Sequence, residues 1–278
     1  MRVIAHLSDL HFGRVDPAVL GPLVETVNRI GPDLIAVSGD LTQRARTSQF
    51  HAARAFLDAL RAPRIVVPGN HDVPLHNLLA RSVLPLTRYR RYISDDLAPF
   101  FCDDEIAVLG INTARALAFK GGRINRRQLE RMRTRFAALD KDITRIIVTH
   151  HPLDLPQGHA ESDLVGRAAL AMDAFAHARV DVLLSGHLHV GHTGNTSVRY
   201  KVAGHAALIV QAGTATSTRS RGETNSFNTV RVDRPLIAIQ RWSWHAETGT
   251  FVAEPSDDYR FSSGAWRAVN DGRTAGND

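Results

Sequence analysis

Short apolar runs alternate with amphipathic segments along the first part of the chain. The order predicted from this pattern is strand 2–7, helix Pro17–Ile30, strand Asp33–Ser38, helix Ser48–Leu60 and strand Arg64–Val67. The first helix begins after a capping residue, Asp16, and ends at Gly31. Because the strands are apolar throughout rather than alternating, they predict a parallel sheet covered by helices on both faces.

The pattern loosens between residues 73 and 104, where leucine-rich pieces surround an aromatic and basic segment, Thr87–Ile93. We predict a helical insertion without strands here. Its composition suits nucleic-acid binding or a pocket wall, but helical surface packing is favoured because no basic tract continues it. Regular elements then resume in the order strand Ile106–Ile111, helix Asn125–Leu139, strand Ile143–Val148, helix Asp163–Ala178 and strand Val180–Leu184.

The texture changes after His189, where apolar segments become shorter and are separated by turns. Four such segments predict antiparallel strands of a second sheet: Val198–Val202, Ala206–Gln211, Ser226–Val232 and Ile237–Trp244. Residues from 254 onward are polar and predict a peripheral tail. We therefore expect one domain over 1–253, with an insertion at about 73–104, and a polar tail over 254–278.

Composition narrows the chemistry that is available. The chain has 278 residues, 44% of them hydrophobic, and a single cysteine, Cys102, so it can form neither an internal disulfide nor a cysteine-based metal site. Asp9 comes too early for a signal peptide and no apolar run is long enough for a membrane span, so we expect a soluble cytoplasmic protein.

The charge balance favours an anionic partner. The formal net charge is +6, although several arginines, such as Arg127, Arg131 and Arg135, recur at helical spacing and predict a solvated face. A nucleic-acid partner is compatible with this charge but not favoured, and oligomerisation is left open.

Five apolar runs end in side chains that bind metals. These side chains are Asp9 and His11, Asp40, Asn70 and His71, His150 and His151, and His187 and His189. Functional groups of open α/β sheets collect at the carboxyl ends of their strands, so we expect these residues to converge. Imidazole and carboxylate ligands together favour Mn, Fe or Zn over Ca or Mg.

These blocks resemble, in kind and order, those of the calcineurin-like metallophosphoesterases. They are Asp9-x-His11, Gly39-Asp40, Gly69–Asp72, His150 ahead of Pro152, and Gly186-His187-x-His189. Within that family the blocks are most similar to those of class III cyclic-nucleotide phosphodiesterases. The resemblance implies an α/β fold of two stacked mixed β-sheets flanked by helices.

The resemblance also implies a role for each residue. One metal ion would be held by Asp9, His11 and His189, and the other by Asn70, His150 and His187. Asp40 would bridge two divalent or mixed-valence transition-metal ions, and His71 would stabilise the transition state or protonate the leaving oxygen. Of the histidine doublet, His150 is the expected ligand, and His151 is expected to support it.

Charge arithmetic agrees with a phosphodiester substrate. Two divalent ions, two aspartates and a bridging hydroxide leave about one positive charge for the substrate anion. We expect in-line attack of that hydroxide on phosphorus, with His71 as the acid. Four residues are candidate substrate contacts: Asn112, His192, Arg219 and Arg221. A loop role is favoured for His192, and solvated loop positions are equally plausible for the two arginines.

The sequence thus predicts a phosphodiesterase acting on small phosphodiesters, such as 3′,5′-cyclic nucleotides. Gln43 stands where protein Ser/Thr phosphatases and many cyclic-nucleotide enzymes have an aspartate, which argues against the former and weakens the case for the latter. Two alternatives stay open. One is an enzyme acting on phospholipid-type or nucleic-acid substrates, and the other is a non-catalytic metal-binding scaffold.

Overall fold

Two β-sheets stack face to face in the computed structural model of the protein, which describes residues 1–74, 84–116, 121–200, 205–219 and 222–269. The strands of the seven-stranded sheet are β1 (Arg2–Leu7), β2 (Leu34–Val37), β3 (Arg64–Val66), β10 (Ser226–Asp233), β11 (Leu236–His245), β12 (Thr250–Ser262) and β13 (Ala265–Ala268). Their spatial order is β13-β12-β11-β10-β1-β2-β3, and β1, β2 and β3 run parallel.

The second sheet has six strands in the order β4-β5-β6-β7-β9-β8. They are β4 (Phe100–Cys102), β5 (Ile106–Gly110), β6 (Thr144–Val148), β7 (Val182–Ser185), β8 (His192–Asn195) and β9 (Leu208–Gln211). β5, β6, β7 and β9 are parallel neighbours, whereas β4 and β8 are antiparallel edge strands. Both sheets are therefore mixed, as expected.

Helices cover the outer face of each sheet. α1 (Pro17–Ile30), α2 (Thr47–Ala59) and α3 (Thr87–Tyr92) pack on the first sheet, and α4 (Arg126–Ala137) and α5 (Ala168–His177) on the second. Alternate residues of one strand face different layers: Ile4 of β1 packs between the sheets, whereas Ala5 packs under the helices. Burial on both faces explains why the parallel strands are apolar throughout.

The C-terminal strands do not form a sheet of their own, which corrects the prediction from the pattern. β9 extends the parallel part of the second sheet beside β7, whereas β10 pairs antiparallel with β1 at the centre of the first sheet. Of the segment predicted as strand Val198–Val202, the first residue lies in a short 3-10 helix, Thr196–Val198, and 201–202 fall outside the described residues.

Three further elements differ from prediction. The described part of the supposed tail, up to residue 269, continues the first sheet as β12 and β13, and Trp266 of β13 is buried between the sheets. The helix predicted from Asp163 begins only at Ala168, since the amides of Val165 and Gly166 donate to Pro152 and Gly122 across the chain. The insertion contains strand β4 besides helix α3, and its residues 75–83 lie outside the described part. Within the described residues, every helix is too short or too polar to cross a bilayer.

Candidate metal centre

The first group of potential metal ligands surrounds a carboxylate oxygen that has no hydrogen-bond donor within the described residues. Asp9 follows β1 and is fully buried, yet its Oδ1 receives no hydrogen bond. The Nε2 atoms of His189 and His11 lie 3.2 Å and 3.5 Å from this oxygen and 3.1 Å from each other. Two ring nitrogens and an unpaired carboxylate oxygen at this spacing fit the ligand set of one cation.

Asp40, which follows β2, lies between this group and a second one. Its Oδ2 is 3.7 Å from His11 Nε2, and its Oδ1 is 3.3 Å from His150 Nε2. His150 Nε2 also lies 3.0 Å from Asn70 Oδ1 and 3.3 Å from His187 Nδ1. One carboxylate thus faces both groups, and the His and Asp clusters fit a dinuclear centre.

Carbonyl groups set the tautomers of two of these histidines. A carbonyl oxygen can only accept, so Nδ1 of His189 donates to the Arg219 carbonyl at 3.0 Å and Nδ1 of His150 donates to the Ser38 carbonyl at 2.7 Å. In the neutral rings, the Nε2 lone pairs then point into the centre. A second hydrogen bond of this kind is typical of metal-binding histidines.

The electrostatics of the centre favour ionised carboxylates. Burial disfavours the charged forms of Asp9 and Asp40, but the imidazoles, above all His189 for Asp9 and His150 for Asp40, hold the pKa of each carboxyl below its usual range. Burial and the nearby His150 lower the pKa of His187 to about 4. Two buried negative charges beside a neutral imidazole suit cations better than an empty space.

The ligand-bearing loops have unusual backbone conformations. Five of the seven expected ligands have a positive φ, between 48° and 77°: Asp9, His11, Asp40, His187 and His189. Such conformations cost about 1–3 kcal/mol each and persist where surrounding contacts enforce them. Here Asp9 N donates to Gly39 O at 3.1 Å and His11 N donates to Asp40 O at 2.9 Å.

Two glycines allow the loops to approach each other. A Cβ atom on Gly69 would lie 2.1 Å from Asp40 Oδ1, and one on Gly186 would lie 1.8 Å from Ser8 Oγ. Asp72 joins the loops after β2 and β3, because its buried carboxylate accepts from the amides of Gly69, Leu41 and Thr42. Asp72 therefore has a structural role at the base of the candidate centre.

The segment after β9 supports the Asp9 loop from the other side, which sequence reasoning missed. Thr214 Oγ1 donates to the Asp9 carbonyl at 2.7 Å, and Thr216 Oγ1 donates to the Leu10 carbonyl at 2.6 Å. Ser8 Oγ donates to Asp9 Oδ2 at 2.6 Å. The only signal in the sequence was the run of small polar residues after the strand, 213–218.

His71 packs against the first group, with its ring centroid 4.9 Å from that of His11, and one of its ring nitrogens lies within 4.8 Å of potential ligand atoms of His11 and Asp40. Its Nδ1 donates to the Gln43 carbonyl at 2.9 Å, and its Nε2 accepts from Arg219 Nη1 at 3.2 Å. Burial lowers the pKa of His71, which agrees with a neutral ring. Arg219, a predicted substrate contact, therefore lies next to the predicted acid.

The remaining predicted residues have different surroundings, and His151 belongs to the second group, because its ring centroid is 4.6 Å from that of His187. Asn112 follows β5, and its Oδ1 accepts from the Ala114 amide at 2.9 Å, whereas His192 lies on edge strand β8 opposite Gln211. His151 Nδ1 is 2.8 Å from Thr113 Oγ1. Arg221 lies outside the described residues.

Solved structures support the fold. The chain is similar to a purple acid phosphatase from yellow lupin (Lupinus luteus), with a TM-score of 0.70 and 13% identity over 97% of this chain and 54% of that one. It is also similar to a dimetal phosphatase from Danio rerio, with a TM-score of 0.64 and 13% identity over 91% of this chain and 98% of that one. At such identities the likeness concerns the fold alone.

Two curated relatives are more similar in sequence. The glycerophosphodiester phosphodiesterase GpdQ of Enterobacter lignolyticus is 30% identical over 58% of this chain, and the match spans 60% of that relative's length. A probable cyclic nucleotide phosphodiesterase of Synechococcus sp. is 28% identical over 67% of this chain, and the match spans 72% of that relative's length. The calcineurin-like phosphoesterase family model matches residues 2–191, a range that holds all seven expected ligands and His71, and the chain belongs to that family.

Proposed function

We propose that this protein is a metal-dependent phosphodiesterase that hydrolyses small phosphodiesters. Asp9, His11 and His189 would hold one transition-metal ion, and Asn70, His150 and His187 would hold the other, with Mn, Fe or Zn as the candidates. The observation that carries the proposal is the position of Asp40, whose two carboxylate oxygens face His11 and His150 at 3.7 Å and 3.3 Å. A carboxylate between two ligand groups suits a bridge between two ions.

Such ions, when bound, polarise a phosphoryl oxygen and lower the pKa of water. The chain itself would orient the substrate and supply a proton. The Gln43 carbonyl holds His71 Nδ1–H, so Nε2 would act as the acid after it takes up a proton and releases the hydrogen bond from Arg219. Arg219, 3.2 Å from that nitrogen, would hold a phosphate oxygen in the same place.

The substrate class is supported by the relatives and by the motifs. The match to a probable cyclic nucleotide phosphodiesterase favours 3′,5′-cyclic nucleotides, and the match to GpdQ favours glycerophosphodiesters as a second candidate. Asn112 borders a cavity of about 640 Å³ beside Val73, which supports a contact with the group esterified to the phosphate. A contact by His192 or Arg221 stays a prediction, as do the cytoplasmic location and the alternatives of a nucleic-acid substrate or a non-catalytic scaffold.

The test combines metal analysis with turnover. His189→Gln should lower the metal content by one ion and reduce hydrolysis of bis(p-nitrophenyl) phosphate with added Mn by at least about 100-fold. His245→Gln is a matched control because His245 is an exposed residue at the end of β11. A wild-type protein that binds two ions but turns over no phosphodiester would favour the scaffold.

The substrate is identified separately with the metal-loaded protein. The panel is cAMP, cGMP, 2′,3′-cyclic nucleotides, glycerophosphodiesters and single-stranded RNA, and the highest kcat/KM assigns the class. Preference for RNA would overturn the small-substrate proposal while leaving the metal centre intact.

A further inference from the structure

A cationic cavity lies at the end of the second sheet opposite to the candidate metal centre. Arg145 lies near the start of β6, and Asp181 immediately precedes β7, whereas His150 and His187 follow the same two strands. Five residues of extended chain separate Arg145 from His150, a distance of roughly 15 Å. Because of this distance, the cavity is separate from the candidate metal centre. Its volume is about 550 Å³.

Positive side chains dominate this cavity. It is lined by four basic residues, Lys141, Arg145, Arg179 and Arg234, by two histidines, His177 and His205, and by two acidic residues, Asp142 and Asp181. Asp181 is already engaged, because its Oδ1 accepts from Trp266 Nε1 at 3.0 Å and from Arg234 Nη1 at 3.1 Å. An excess of positive charge is left to face the cavity.

Arg145 has one buried guanidinium nitrogen without a hydrogen-bond acceptor in the described part of the chain. It is only 7% exposed, yet its Nε atom has no hydrogen-bond acceptor among the described residues. Its Nη2 donates to two backbone carbonyls, those of Leu139 at 3.1 Å and Asp140 at 3.3 Å. The nearby Asp181 carboxylate is shared with Arg234 and Trp266, so an anion bound beside the buried Arg145 guanidinium would stabilise it further.

Two more arginines are brought to the cavity by the backbone. Arg179 has a φ of 53° just after α5, a left-handed position where helices usually have glycine. Arg234 comes from the turn between β10 and β11 of the other sheet, and its guanidinium lies 4.4 Å from the Phe261 ring centroid. Both sheets therefore contribute cations to one concave space.

We propose that this cavity binds a phosphate group carrying two negative charges, either free or as part of a small phosphorylated molecule. Guanidinium groups match phosphate oxygens in geometry, and arginines from separate elements can bind different oxygens of one group. A cavity of about 550 Å³ encloses a small molecule, whereas a nucleic-acid strand would require an extended basic surface. The site is distinct from the centre where phosphodiesters would be cleaved.

The test compares two double variants of the metal-loaded protein. K141Q/R179Q removes two exposed cations of the cavity, and R127Q/R131Q removes the same charge from the exposed face of α4. Isothermal titration calorimetry with inorganic phosphate and with AMP measures the number of sites and their affinities. Hydrolysis of bis(p-nitrophenyl) phosphate in phosphate-free buffer is measured in parallel.

Wild type and R127Q/R131Q are expected to bind phosphate at this cavity with equal affinity. K141Q/R179Q is expected to bind phosphate there at least about tenfold more weakly, or not at all. Turnover should agree within twofold among the three proteins. Equal affinities for phosphate and AMP would identify the phosphate group itself as the ligand. Tighter binding of AMP would identify a phosphate ester as the ligand. The proposal is overturned if K141Q/R179Q binds like wild type, if both double variants are weakened equally, or if single-stranded oligonucleotides bind there instead of the small anions.

Discussion

Arg219 Nη1 donates to Nε2 of His71 at 3.2 Å, although the two residues are 148 positions apart in the chain. The carbonyl of the same arginine accepts from Nδ1 of His189 at 3.0 Å. Arg219, which lies in the segment after β9, therefore contacts both the proposed acid and a proposed metal ligand. The Gln43 carbonyl holds the other side of the His71 ring, so its orientation is set from two directions.

Replacing His71 should separate catalysis from metal binding. His71→Ala is expected to lower kcat for bis(p-nitrophenyl) phosphate by about 10²–10⁴-fold, the usual contribution of a general acid. Metal content should stay at the wild-type value, because the contact of residue 71 with Asp40 Oδ1 is made by its backbone amide, at 2.8 Å. Activity within a few-fold of wild type would remove His71 from the mechanism.

Metal removal should destabilise the protein as well as inactivate it. Asp9 and Asp40 are 0% and 1% exposed, and without cations their charges are balanced by the surrounding imidazoles and by hydrogen bonds from Ser8 Oγ and the His71 amide. Readdition of Mn at 100 times its dissociation constant should restore about 2.7 kcal/mol of the free energy of unfolding per ion. Thermal unfolding with and without chelator measures this, and identical midpoints would contradict a cation site of the proposed kind.

Position 69 should tolerate only glycine, because the neighbouring loop leaves no room for a Cβ atom. In Gly69→Ala the added Cβ would lie 2.1 Å from Oδ1 and 2.3 Å from the amide nitrogen of Asp40, so the loops must separate. We expect a loss of about 1–3 kcal/mol of stability and weaker metal binding.

Gly21→Ala is the matched control for that substitution. Gly21 lies on the exposed side of α1, and a Cβ there would meet nothing within 4 Å. This change should leave stability within about 0.5 kcal/mol of wild type, because the helix preference of alanine is offset by its contact with the ring of Pro22, the next residue. Chemical denaturation of both variants gives the comparison, and a Gly69→Ala protein as stable as wild type would refute the steric argument.

Buried His6 should make stability depend on pH. Burial lowers its pKa to about 3, and its Nε2 lies 2.9 Å from Ser38 Oγ. Between pH 6.5 and that value the unfolded chain binds the proton and the folded protein does not, so stability is lost as pH falls through this window. Relative to His6→Gln, wild type should lose about 1.4 kcal/mol per pH unit below pH 6.5.

The measurement is chemical denaturation of both proteins between pH 7 and pH 5, with chelator present so that neither contains metal. The difference in unfolding free energy should change by about 2 kcal/mol over this range. Parallel curves would show that His6 keeps its ordinary pKa in the folded protein.

Much of the architecture followed from local pattern. Strands such as Ile106–Gly110 and Thr144–Val148 are buried on both faces, so they appear in the sequence as unbroken apolar runs. The prediction failed beyond His189, because strand pattern does not specify which sheet a strand joins. β10 pairs with β1 at the centre of the first sheet, more than two hundred positions away in sequence.

The candidate metal centre was likewise predictable only in part. The sequence by itself determined the residue types at five strand ends, and hence that His, Asp and Asn side chains would be available to metals. The family resemblance already implied a bridging Asp40, whereas only the tertiary structure placed Thr214 under Asp9 and Arg219 against His71. Those contacts join segments that are distant along the chain, and the physical reason they escaped prediction is that a side chain's partner depends on how the two sheets pack.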